Sequence, residues 1–181
     1  MNNQNMNNIT AATNESHEIA INITRKAFVG LARQGMLFHQ GVLEGCDDAL
    51  AAALAGEKAR ICVALAPDAD KNYIHLAVAD WGCGMDLAAL TNALQLGSAP
   101  LTNSRLNEHG YGLNNALACL SGGTGDWCIY TRSQPGPYYK VSGPFDLKMT
   151  VTEENTLHLP EGLNLQWPDP STVIYVRVPV A

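Results

Sequence analysis

Residues 80–85 read Asp80-Trp81-Gly82-Cys83-Gly84-Met85, and a second glycine turn, Gly110-Tyr111-Gly112-Leu113, follows further along the chain. Each has a strand or loop before it and an apolar helix pattern after it. Asp80 closes the alternating run Ile74, Leu76, Val78, so a strand delivers one carboxylate to its own C-terminal end, followed at once by backbone with glycine freedom. A carboxylate in that place can accept a base amino group. The ordered pair of turns therefore points to a nucleotide site.

A second set of acids lies upstream. On a helical wheel, residues 41–54 separate into an apolar face, Leu43, Cys46, Leu50, Ala53 and Leu54, and an opposite face with Gly41, Glu44, Gly45 and Asp48. Two glycines, each costing about 1 kcal/mol inside a helix, share that face with two carboxylates. The pattern expects either close approach of another group to this face or an exposed, locally weak helix.

The elements that must position these groups can be read from periodicity. Residues 1–15 are rich in Asn, Thr and Ser and lack apolar periodicity, so they are expected to be a disordered tail. Residues 16–181 are expected to form one domain. Helical spacing covers 18–34 and 36–54, with Gly35 as the break and Gly56 as a stop. Residues 59–65 and 73–80 read as a β-hairpin around a segment full of turn formers. A short helix at 86–96 leads into a polar stretch at 97–109, and helix returns at 112–120. The strand candidates after that are 127–132, 138–141, 148–152 and 172–178. The expected class is α+β, with helices layered on one face of a mixed, largely antiparallel sheet.

Composition narrows the function classes. The chain has 181 residues, 46% of them apolar, and a formal net charge of −6. Without clustered Lys and Arg, nucleic acid is not expected as the main partner. No apolar run is long enough to cross a bilayer and no signal core is seen, which gives the expectation of a cytoplasmic protein with no membrane partner. The five cysteines include no Cys-x-x-Cys pair and read as reduced, mostly buried thiols.

The order acid-bearing helix, hairpin, Asp-x-Gly-x-Gly, polar loop, Gly-x-Gly helix and late strand with Thr resembles the GHKL ATPase superfamily of gyrase B subunits, ninety-kilodalton heat-shock chaperones, histidine kinases, MutL and microrchidia proteins. The resemblance covers about residues 35–178 and implies the Bergerat fold, with ATP and Mg²⁺ as ligands. Residues 80–85 look like its first glycine box, which implies that Asp80 accepts the adenine amino group while Gly82, Gly84 and Met85 close around the base. His109-Gly110-Tyr111-Gly112-Leu113 looks like the second box, whose amides hold phosphate oxygens at a helix start. Residues 97–108 would then be the ATP lid. These boxes are closest to microrchidia and chaperone versions. Thr172 is similar to the Thr that joins the Asp at adenine, with Ser171 replacing the usual glycine. ATP-dependent homodimerisation or a separate effector protein is the implied partnership.

The chain departs from this pattern in the helical box, Glu-x-x-x-Asn-x-x-Asp-Ala. Aligning Asp48-Ala49 with its end, the longer local match, puts Gly41 at the water-activating Glu and Gly45 at the Mg²⁺-binding Asn. Both chemical groups are then lost, and slow or absent ATP hydrolysis is expected. A register shifted by three residues makes Glu44 the base and Asp48 the Mg²⁺ ligand, at the i, i+4 spacing that shares one face. Loss of a general base costs about 10² to 10⁴ in rate.

Other readings fit less well. A dinucleotide-binding turn would want glycine where Leu87 stands, and no Gly-Lys-Ser/Thr follows either turn. Histidine kinase chemistry lacks a helix pair for a phospho-acceptor, although His17 and His39 are available. Trp81 reads as a core cap, and His39, His75 and His158 lack metal-ligand spacing, so no zinc site is expected.

Overall fold

The computed structural model describes residues 15–97 and 111–180. In chain order the elements are β1 (Ser16–Ala20), α1 (Arg25–Leu31), a 3-10 turn (Ala32–Gln34), α2 (Phe38–Ala51), β2 (Ile61–Pro67), β3 (Tyr73–Asp80), α3 (Leu87–Ala93), α4 (Gly112–Leu120), β4 (Trp127–Thr131), β5 (Tyr138–Ser142), β6 (Lys148–Glu154) and β7 (Thr172–Pro179). The seven strands form one sheet in the order β1-β6-β5-β4-β7-β3-β2. The class is α+β as expected, but every strand pair is antiparallel, so the sheet is not mixed among the described residues.

Alternation decides which residues face which layer. Leu76 and Val78 of β3, Ile129 of β4, Val141 of β5 and Val176 of β7 meet Phe28, Leu90, Leu94, Leu117 and Leu120 of the helices. The opposite side chains, Ala77, Ala79, Tyr130, Tyr138 and Val173, form a second cluster with Leu163, and Leu157, Leu159, Leu165 and Trp167 pack against it. All the described helices therefore lie on one face, and the chain between β6 and β7 covers the other without regular structure. Leu157, Leu159, Leu163, Leu165 and Trp167 occupy alternate positions, which puts them on the covered side, although the segment forms no strand.

The helix expected over 18–34 is corrected by the structure. Ser16–Ala20 is a strand paired with β6, and helix begins only at Arg25. Ile19, Ile21 and Ile23 are all buried, a period of two that ran into the helical spacing beyond it. Thr24 separates the two: its hydroxyl accepts the Ala27 N–H at 3.1 Å, an N-cap that starts α1 there.

α2 is also turned the other way from its apolar wheel. Leu43, Leu50 and Leu54 are 56%, 45% and 43% exposed, whereas Gly41, Gly45 and Ala49 are buried. A Cβ on Gly41 would stand 2.8 Å from Leu120 Cγ, and one on Gly45 3.3 Å from Val78 Cγ2. The group that approaches the glycines is thus the protein's own core: α4 at Gly41 and β3 at Gly45.

This seating has a measurable consequence. Overpacking at Gly41→Ala should cost about 1–3 kcal/mol, outweighing the gain of about 1 kcal/mol in helix propensity. Gly30 lies in α1 with nothing within 4 Å of an added Cβ, so Gly30→Ala should stabilise by up to about 1 kcal/mol. Urea unfolding of both variants checks the contrast; equal stabilisation would mean α2 is not seated through Gly41.

Candidate functional site

Strand register brings Asp80, Thr172 and Thr131 together. Asp80 is opposite Thr172 at the β3–β7 pairing, and Thr172 is opposite Thr131 on β4. All three are buried, Asp80 to 6% exposure. The Thr131 and Thr172 hydroxyls lie 3.0 Å apart, and Thr131 Oγ1 accepts the Met85 N–H at 2.9 Å. Asp80 Oδ1 accepts the Gly82 N–H at 2.8 Å. The carboxylate is therefore fixed at the strand end, with hydroxyls beside it.

The turn after β3 is locked from both sides. A Cβ on Gly82 would collide with the Ala52 carbonyl, which accepts the Cys83 N–H at 2.8 Å. Gly84 has φ +59°, and its Cβ would meet the Arg132 carbonyl. Ser171 donates its hydroxyl to the Gly82 carbonyl at 2.7 Å and its N–H to the Asp80 carbonyl at 2.8 Å. The Ser171 hydroxyl thus adds a bond that holds the turn. Trp81 points to the strap side: its Nε1 donates to the Pro168 carbonyl at 2.7 Å and its ring meets Trp167 edge-on at 5.2 Å. It caps the second core, as its sequence context suggests.

The acids of α2 reach the same region. A Cβ on Gly112, the first residue of α4, would collide with the Glu44 carboxylate, so Glu44 lies against the helix start, where N–H groups and the positive end of the dipole favour an anion. Asp48 is half-buried, and its Oδ2 is enclosed without a hydrogen-bond partner. Burial, and then the carboxylates of Glu44, Asp47 and Asp80, push its pKa up to about 7. Burial pushes Asp80 up to about 6, against the opposing pull of the Gly82 amide and the Thr172 hydroxyl. Three acids from α2 and β3 are thereby within electrostatic reach of one another. No protein-family model matches the chain, and no curated protein matches it.

The expected site residues therefore divide. Asp80, Gly82, Gly84, Met85 and Thr172 form one cluster, and Glu44 and Asp48 lie between it and Gly112 and Leu113 in the first turn of α4. Gly45, which aligns with the family's Asn and is among the expected nucleotide-binding residues, is buried, with the space beside its Cα taken up by Val78. Tyr111 precedes α4 and is 45% exposed. His109, Gly110, the lid over 98–108 and the tail up to residue 14 lie outside the described residues. Of the histidines without metal spacing, His75 bonds Tyr175 and faces Asp68, while His158 contacts Thr156. Cys62 and Cys128 are buried, but Cys83 is exposed. Thr131 was not singled out by sequence, because only strand pairing reveals its neighbour Thr172. No described helix is long and apolar enough to cross a membrane.

Chemically, the cluster combines a buried acceptor with adjacent hydroxyls, while the Glu44 and Asp48 oxygens suit a hard cation such as Mg²⁺. It also carries a stability cost. Both acids have folded pKa values above the ordinary carboxylate value of about 4, so the native state keeps protons that the unfolded chain has shed. Stability should fall as pH rises from about 4 to about 7 and level off above. Asp48→Asn should flatten this slope and stabilise the ligand-free protein at pH 8 by roughly 1–3 kcal/mol. Unfolding at pH 5 and pH 8 reads it; a destabilised variant at pH 8 would show that the Asp48 charge is not a burden.

Proposed function

We propose that this chain is an adenine-nucleotide-binding domain of the GHKL type, with slow or absent Mg²⁺-dependent ATP hydrolysis. The observation that carries this reading is Asp80: a buried carboxylate at the end of β3, opposite Thr172 and followed by a turn that tolerates only glycine at residues 82 and 84. In this reading Asp80 accepts the adenine amino group, and Thr172, bonded to Thr131, presents its hydroxyl beside it. Gly112 and Leu113 offer main-chain N–H groups toward phosphate.

The placement of the α2 residues bears on hydrolysis. Gly41 and Gly45, which stand at the base and metal positions in the longer alignment, are packed on Leu120 and Val78. Glu44 and Asp48 are the carboxylates that reach the site, so the shifted register supplies whatever base and Mg²⁺ ligand the domain has. A bound Mg²⁺ would screen the triphosphate and draw Asp48 into its charged form. Glu44 would take the proton from the attacking water, and its place against α4 puts it at the phosphate end of the site.

A second reading, a nucleotide-sensing module that binds ATP without hydrolysing it and signals through homodimerisation or an effector, is favoured by the acid at the position where the family has a neutral Asn. That change falls on the metal and water-activating end of the site and leaves Asp80, Thr172 and the glycine turn, which would hold the base, as they are.

Calorimetric titration with ATP, with and without Mg²⁺, tests the shared claim. Asp80→Asn should weaken binding more than tenfold, since a buried hydrogen bond to a charged group contributes about 1.5–3 kcal/mol. Unchanged affinity would remove Asp80 from adenine recognition. Phosphate release separates the two readings: turnover abolished by Glu44→Ala supports the ATPase, and tight binding without turnover supports the sensor.

A further inference from the structure

The N-terminal edge of the sheet carries a side-chain cluster that neither the nucleotide cluster nor the core uses. Glu15, just before β1, and His17 are alternate residues of an extended segment and so share one side of the sheet. The Glu153 N–H, on β6, donates to the Glu15 carbonyl at 3.0 Å, placing the two glutamates across from each other. Donor atoms of Glu15, His17 and Glu153 all lie within 4.8 Å of one another.

Their geometry is wrong for a hydrogen-bonded ion pair. His17 Nε2 stands 3.7 Å from Glu153 Oε1, and that nitrogen is sealed from solvent without a hydrogen-bond partner. Tyr139 on β5, paired in register with Glu153, sets its ring edge-on to the imidazole at 6.1 Å. Carboxylates facing each other across an antiparallel pair repel, and an enclosed ring nitrogen without a partner is unfavourable. One cation would relieve both. Two ligand atoms each about 2.1 Å from a tetrahedral ion stand about 3.4 Å apart, close to the observed gap.

We propose that Glu15, His17 and Glu153 bind one divalent transition cation of the zinc type, clipping edge strand β1 to β6. An imidazole with two carboxylates suits such an ion better than Mg²⁺ or Ca²⁺, which take oxygen ligands. Exposure of Glu15 leaves a solvent-side position for water as the fourth ligand. The cluster escapes the sequence because Glu153 joins it only through strand pairing.

Titration of the full chain with ZnCl₂ in a non-chelating buffer tests the clip. One equivalent should bind, with affinity reduced at least tenfold in His17→Ala and in Glu153→Gln, and zinc should raise the melting temperature of the parent protein alone. Because free cysteines such as Cys83 also take zinc, and because a variant could fail to fold, Co²⁺ substitution of the parent protein provides a second measurement. Tetrahedral d–d bands without a thiolate charge-transfer band would support the site. Unchanged stoichiometry and affinity in folded His17→Ala, or a thiolate band for the first equivalent, would overturn it.

Discussion

The close seating of α2 on β3 and α4 is the constraint from which the rest of the acidic cluster follows. Two glycines inside one helix cost about 1 kcal/mol each in propensity, and they are placed where side chains would strike Leu120 and Val78. With those positions flat, the helix axis comes close enough for Glu44 to lie on the first residue of α4 and for Asp48 to come within electrostatic reach of Asp80. A larger residue at either position would lift the helix and carry both acids away from the strand end. Ala52, which caps this helix, then accepts the Cys83 N–H, so the same docking also anchors the glycine turn.

Such a convergence of carboxylates is unfavourable in an isolated chain. The fold offsets part of it locally: Asp80 receives the Gly82 amide and lies beside the Thr172 hydroxyl, and Glu44 lies at the positive end of a helix. Asp48 has no such compensation at Oδ2 and holds its proton nearly to neutrality. Unsatisfied acceptors and raised carboxylates collect at sites of binding more often than in cores chosen for stability alone. By that argument the cluster is a candidate binding site rather than a packing solution.

Much of the architecture was legible in residue order. The hairpin of β2 and β3, helices α2, α3 and α4, and the four later strands follow from periodicity and from Gly, Pro and Asn turns, which act locally. What was not legible depends on partners far along the chain. Ser16–Ala20 became a strand because β6 pairs with it, and its alternating isoleucines merged with the helix that Thr24 starts. The exposed leucines of α2 misled because a wheel records hydrophobicity, whereas the packing interface was chosen by size. At the site, Asp80, Thr172 and the two glycines could be named from their motifs, while Thr131 and the added grip of Ser171 required the register of β4, β7 and β3. Leu157, Leu159, Leu163, Leu165 and Trp167 do stand at alternate positions, so the inward side of this segment is legible as a period of two, but the segment pairs with no strand and its place over the sheet follows only from the fold.

That irregular segment has an optical consequence. Trp167 meets Trp81 almost at right angles, and the Trp81 indole N–H is bonded to the neighbouring Pro168 carbonyl. One indole belongs to the turn between Asp80 and Gly82 and the other to the covering on the far side of the sheet. Their emission and near-ultraviolet ellipticity thus depend on the same few ångströms of backbone that set the turn after Asp80. The molecule carries an intrinsic chromophore pair whose signal is coupled to the position of that turn, with no label attached.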